Sequence, residues 1–190
     1  MHFQEKYLSD GSISNTVDGF KMPYVFRNSS KNNIWNEVNR NTHFKVIHLS
    51  RANLLRAYVS NEIAIKTKYW FGNETSHVNL EDKKCVLDTK DCLRWINNSL
   101  RNQKKIEYEF RYHQSLTLTY ENLLLNKDKT GEVLGFLGVD PSVKISSQFK
   151  KQNKESLSDL IKNYEEFKKG ILNSTGTEFL DEKQELEFLS

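Results

Sequence analysis

The chain alternates between two kinds of apolar pattern. Phe44 to Leu49 is a short run apolar on both sides, the pattern of a strand covered on two faces. From Ala52 to Lys66 the apolar positions Leu54, Leu55, Tyr58, Val59 and Ile63 spread over one broad side, which predicts an amphipathic helix. Asn53, Arg56 and Ser60 recur at spacings of three and four, forming a narrow polar stripe opposite. Ala57 and Ala64 flank that stripe, and their small side chains would let a ligand approach the backbone.

The pattern repeats further on. Asp88, followed by Asp91, marks a helix start, and Cys92, Ile96 and Leu100 form its apolar stripe up to about Glu109. Ser115 to Tyr120 alternates as a strand, with Leu116, Leu118 and Tyr120 on one face. Residues 131–137 predict a short helix stopped by Gly138. "SLSDLIKNYEEFKKG" predicts one amphipathic helix with Leu157, Leu160, Ile161, Tyr164 and Phe167 inward and Gly170 as its stop. Residues 1–43 are weakly patterned: "GFKMPYVF" could hold a short strand, and a polar loop rich in Asn and Ser follows. Strand and helix alternate, so the expected class is α/β with a small parallel sheet flanked by helices.

Composition narrows the possibilities. The 190 residues suit one domain with a real core. A net charge of +3 is too small to argue for nucleic acid, though it permits a local anionic ligand. No apolar run is long enough to span a bilayer, and the first residues lack a signal-peptide pattern. The expected location is therefore the cytoplasm. Cys85 and Cys92 have no metal-type spacing and suggest no disulfide framework.

The chemistry concentrates at Arg51. It stands where the first strand hands over to a helix, and ligands of open α/β sheets bind beyond such strand ends. A guanidinium suits a phosphate, and the adjoining helix N-terminus adds N–H donors. Ser60 could add one more hydrogen bond from the polar stripe. Chemistry alone leaves a plainer alternative open, in which Arg51 pairs with a carboxylate and Ser60 faces solvent.

"FKVIHLSRANLLRAYVSNEIA" closely resembles the 3′-phosphate-binding segment of sulfotransferases that use 3′-phosphoadenosine 5′-phosphosulfate (PAPS), especially bacterial carbohydrate-type members. The resemblance implies that Arg51 and Ser60 hold the 3′-phosphate. "LTLTYENLLLN" resembles the family's strand ending whose tyrosine, here Tyr120, contacts adenosine. "FLGV" follows in family order, and "FKKQNKESLSDLIKNYEE" resembles the basic loop and closing helix over the 3′-phosphate. That implies contacts from Lys150 and Lys151, with Gln152 and Asn153 as weaker loop contacts. Without the resemblance, Tyr120 reads as a core tyrosine and the lysines as solvated. The similarity runs from about Gly19 to Leu180 of a single sulfotransferase-like domain. The implied fold is P-loop-NTPase-like and N-terminally incomplete, because no loop resembling the family's 5′-phosphosulfate cradle precedes Gly19.

The resemblance implies transfer of a sulfuryl group from PAPS to a hydroxyl acceptor, expected to be a carbohydrate, without a metal. The alternatives are a non-catalytic remnant that binds PAPS or its bisphosphate product, or a subunit whose partner chain supplies the phosphosulfate loop. An α/β domain with an unrelated interaction role also stays open. The catalytic base is unassigned: His48 reads as a buried, hydrogen-bonded histidine, His43 is no better supported, and His2, His77 and His113 form no cluster. Acceptor contacts are expected from the segment Lys68 to Lys84, which includes Trp70, Phe71 and His77.

Overall fold

Side-chain caps set where most helices begin. In the computed structural model, which describes residues 17–24, 33–70, 78–143 and 153–175, α1 (Asn33–Arg40) precedes strand β1 (Val46–Ser50). Helix α2 (Leu54–Thr67) starts where the Asn53 side chain accepts the Arg56 N–H, and α3 (Leu80–Lys83) starts at Asn79 in the same way. Asp88 accepts the Asp91 N–H at the head of α4 (Thr89–Glu109), as the capping pattern predicts. After β2 (Ser115–Thr119), Thr119 caps α5 (Tyr120–Leu125) and Asn126 caps α6 (Lys127–Leu137). Gly138 ends α6 in the left-handed conformation at φ 82°, and the Val139 N–H reaches back to Leu134, the doubly bonded stop that favours glycine.

The strands β1 and β2 pair in parallel, Val46 against Ser115 through Ser50 against Thr119. The class is therefore mixed α/β, with a two-stranded parallel sheet among the described residues and helices around it. The connection from β1 to β2 runs through α2, α3 and α4.

Two apolar clusters hold these elements. The larger joins α2 and α4 to α7 (Leu157–Leu160) and α8 (Tyr164–Thr175) through Leu55, Val59, Cys92, Leu157, Phe167 and Ile171. Full burial of each of its Leu, Ile or Phe side chains contributes about 1.5–3 kcal/mol. In the smaller cluster, Trp35 and Val38 of α1 pack on Ile106 and Phe110, with Met22, Tyr24, Phe44 and Val46 against it.

The structure corrects several expectations. The helix expected over residues 156–170 is two helices, because Cys85 pairs with Ile161 as a short parallel bridge between them. The Asn163 side chain reinforces that break by bonding both the N–H and the carbonyl of Leu87. Gly170 does not stop a helix. It lies within α8, where a Cβ would meet Thr89 Oγ1 at 2.5 Å, so glycine serves close helix packing there. Of the short strand expected within residues 19–26, residues 19–24 form none and residues 25–26 lie outside the described residues, while the polar stretch expected as a loop contains α1, whose Trp35 and Val38 are buried. Tyr120 opens α5 instead of ending a strand. Leu100 is exposed on α4. Strand β1 is not covered on both faces either: Ile47 and Leu49 are exposed while His48 is buried among Tyr24 and Phe110. The inward positions of α2, and Leu157, Leu160, Ile161 and Phe167, are buried as the periodicity predicts.

Candidate functional site

Parallel register brings the carboxyl ends of β1 and β2 side by side. Because Ser50 is paired with Thr119, Arg51 and Tyr120 leave the sheet next to each other. The Arg51 guanidinium carbon lies 4.3 Å from the centre of the Tyr120 ring, a cation–π contact. The residue after the tyrosine completes the joint. Glu121 accepts from Arg51 Nε at 2.9 Å, from the Ala52 N–H at 2.8 Å and from the Asn53 N–H at 3.5 Å.

Glu121 thus occupies part of the anion-binding potential of this joint. Burial opposes its ionisation. The N–H groups of Ala52 and of Glu121 itself, the Arg51 charge and the Asn53 N–H outweigh that cost, and its pKa lies below the usual carboxylate range. The plainer reading of Arg51, an ion pair with a carboxylate, is what the chain adopts. Yet only Nε makes that pair. Among the described residues, the two terminal guanidinium nitrogens have no hydrogen-bond partner, and the side chain is about one-third exposed. The guanidinium is therefore oriented by stacking and by one ion pair, with one edge uncommitted.

Ser60 lies on α2, and its hydroxyl accepts from Asn153 Nδ2 at 3.1 Å. Two residues named from the sequence, 93 positions apart, are thereby in contact. A hydroxyl that accepts one bond still has its proton to donate. Lys150, Lys151 and Gln152 lie outside the described residues, as do Phe71 and His77. Trp70 is exposed, as a ligand-stacking or a surface tryptophan would be.

Arg56, expected on the polar stripe opposite the apolar side of α2, is committed elsewhere. It is buried, and its Nη2 donates to the carbonyls of Asn153 at 2.9 Å and Glu155 at 2.6 Å. Nearby, buried Lys83 bonds Glu155 at 2.7 Å. Arg56 thus fastens the segment that carries Asn153 onto α2, and Lys83 ties the same segment to α3. Sequence reasoning named neither the Arg56 anchor nor Glu121. Arg56 had a signal in its spacing from Asn53 and Ser60, while Glu121 had only its place next to Tyr120.

The other candidates fall elsewhere. His48 is buried, with Nδ1 3.5 Å from the Tyr24 hydroxyl, and burial lowers its pKa. His43 is exposed, and buried His113 bonds the Val38 carbonyl. Cys85 and Cys92 are free and buried, and burial, with a smaller push from Glu62, raises the Cys92 thiol to about 12. Among the described residues no group of three His, Cys, Asp or Glu could hold a metal ion, and no helix is long and apolar enough to cross a membrane.

Comparisons with protein-family models, curated proteins and solved structures return no match to this chain.

Proposed function

We propose that the chain binds the 3′-phosphate of an adenine nucleotide at the Arg51 joint and belongs to the PAPS-dependent sulfotransferases, with the P-loop-like fold that their segments imply. The observation that carries this reading is the Arg51 guanidinium, held at the end of a parallel strand pair with its terminal nitrogens uncommitted among the described residues. Ser60 and Asn153, already in contact, supply a hydroxyl and an amide of the kind a phosphate accepts from. Arg51 would take the phosphate through its outer edge, and Lys150, Lys151 and Gln152 are carried by the resemblance alone.

PAPS supplies an activated sulfuryl group. An acceptor hydroxyl, proposed to be on a carbohydrate, takes that group as its bond to the phosphate oxygen breaks. The hydroxyl proton passes to a base that no residue here is assigned to be. Arg51, Ser60 and Asn153 act at the nucleotide end, so their part is to bind and orient the donor.

A second reading has its own observation. Glu121 already pairs with Arg51 and accepts from the N–H groups of Ala52 and Asn53 just ahead of α2, as a structural clasp between the two strand ends would. Calorimetric titration with adenosine 3′,5′-bisphosphate separates the two. Binding is expected, and Arg51→Ala should weaken it by about 2–4 kcal/mol through lost charge-assisted bonds. A folded protein that takes up no bisphosphate would leave the clasp as the better account. A transfer assay with radiolabelled PAPS then distinguishes an enzyme from a nucleotide-binding remnant or from a subunit that needs a partner chain.

A further inference from the structure

A cavity of about 840 Å³ opens beside His48, and none of Arg51, Ser60, Tyr120 or Glu121 lines it. Its size falls within the roughly 300–1,000 Å³ of sites that enclose small organic ligands. Phe20, Trp35, Phe44 and Phe110 give it aromatic walls, set mostly by the smaller apolar cluster.

One place in the lining is polar and buried. His48 is only 4% exposed, and its ring packs edge-on against Phe110 at 6.0 Å. Its Nδ1 lies 3.5 Å from the Tyr24 hydroxyl, the long limit of a hydrogen bond. Nε2 has no hydrogen bond among the described residues. A buried imidazole held this loosely has capacity for another partner.

The charges select the partner's class. Burial lowers the His48 pKa, with Glu107 opposing, and burial and Glu107 raise that of the Tyr24 hydroxyl. Lys45 lines the cavity, and its ammonium donates to the Phe136 carbonyl at 2.7 Å and lies 5.6 Å from the centre of the Phe136 ring. Asp18 adds an acidic group to the lining. The lining holds one lysine and one aspartate, so its charges favour neither sign, whereas a neutral hydroxyl can both donate to and accept from the Tyr24–His48 pair.

We propose that this cavity is a second binding site, for an uncharged ligand with an apolar ring body and one hydroxyl that hydrogen-bonds at the Tyr24–His48 pair. The site stands independently of nucleotide binding at Arg51.

The test uses the full chain, with 2-naphthol and naphthalene as probes, followed by calorimetry and by NMR of the imidazole nitrogens. 2-Naphthol should bind saturably and shift the His48 ring resonances. Naphthalene should bind about fivefold more weakly, for want of the hydrogen bond. His48→Phe should narrow the difference between the two probes, and if that variant fails to fold, the wild-type comparison still decides. Adenosine 3′,5′-bisphosphate should not displace 2-naphthol. Absence of 2-naphthol binding, binding that leaves His48 unmoved, equal affinity of the two probes for the wild type, or displacement by the bisphosphate would each overturn the proposal.

Discussion

Glu121 accepts hydrogen bonds from both the Arg51 side chain and the Ala52 backbone, at 2.9 and 2.8 Å, so one carboxylate closes the gap between two strand ends. The same carboxylate stands where a bound phosphate would experience it as a like charge. Glu121→Gln keeps an acceptor at this place and removes the charge. Affinity for adenosine 3′,5′-bisphosphate should rise about three- to fivefold as that repulsion is relieved. The stability of the free protein should fall by about 1–2 kcal/mol. Calorimetry and urea denaturation of the variant check the two effects, and a weakened affinity would tell against phosphate binding at this joint.

Acid should loosen the fold in a defined direction. Glu121 and Glu155 both have folded pKa values below the ordinary range, although burial resists ionisation in each. For Glu155 the opposing causes are the Lys83 hydrogen bond, its own and the Lys154 backbone N–H, and the Lys83 charge. A carboxylate with a depressed folded pKa contributes stability that is fully present above its unfolded value of roughly 4.3. That contribution is lost as pH falls below this value and through the folded pKa. Urea midpoints should therefore drop between about pH 5 and about pH 3. Glu121→Gln should show a shallower drop, and an unchanged slope would mean that Glu121 is not held as the ion.

Arg56 is expected to matter more for stability than its place among polar residues suggests. Arg56→Ala leaves the Asn153 and Glu155 carbonyls without their shared donor. The cost should be about 2–4 kcal/mol, read from chemical denaturation. Arg56→Lys should recover only part of it, since an ammonium lacks the planar fork. A loss below about 0.5 kcal/mol in Arg56→Ala would show that the segment is fastened by other contacts.

Gly170→Ala should destabilise the protein although alanine is the better helix former. The added Cβ would fall 2.5 Å from Thr89 Oγ1 and 2.9 Å from Cγ2. Overpacking of this kind costs about 1–3 kcal/mol, against roughly 1 kcal/mol gained in helix propensity. Adding Thr89→Ala removes both of those atoms and should restore most of the loss in a double-mutant cycle.

The sequence by itself determined the elements whose signals are local. The Asp88 cap and the Gly138 stop need only a few neighbouring residues, and the inward positions of α2 follow from helical spacing. The proximity of Arg51 to Tyr120 was reachable too, once two parallel strands were expected to end together. Tertiary structure decided what depends on distant partners. Asn163 bonds Leu87 across 76 positions, and with the Cys85–Ile161 bridge it divides a stretch that periodicity alone reads as one helix. Trp35 and Val38 make a helix of a polar stretch because Ile106 and Phe110 wait to bury them. Glu121 beside Arg51, and Arg56 beneath Asn153, are pairings across 70 and 97 positions. Periodicity reports which side of an element is apolar, whereas the partner of a buried charge depends on which other segment the folded chain brings within a few ångströms.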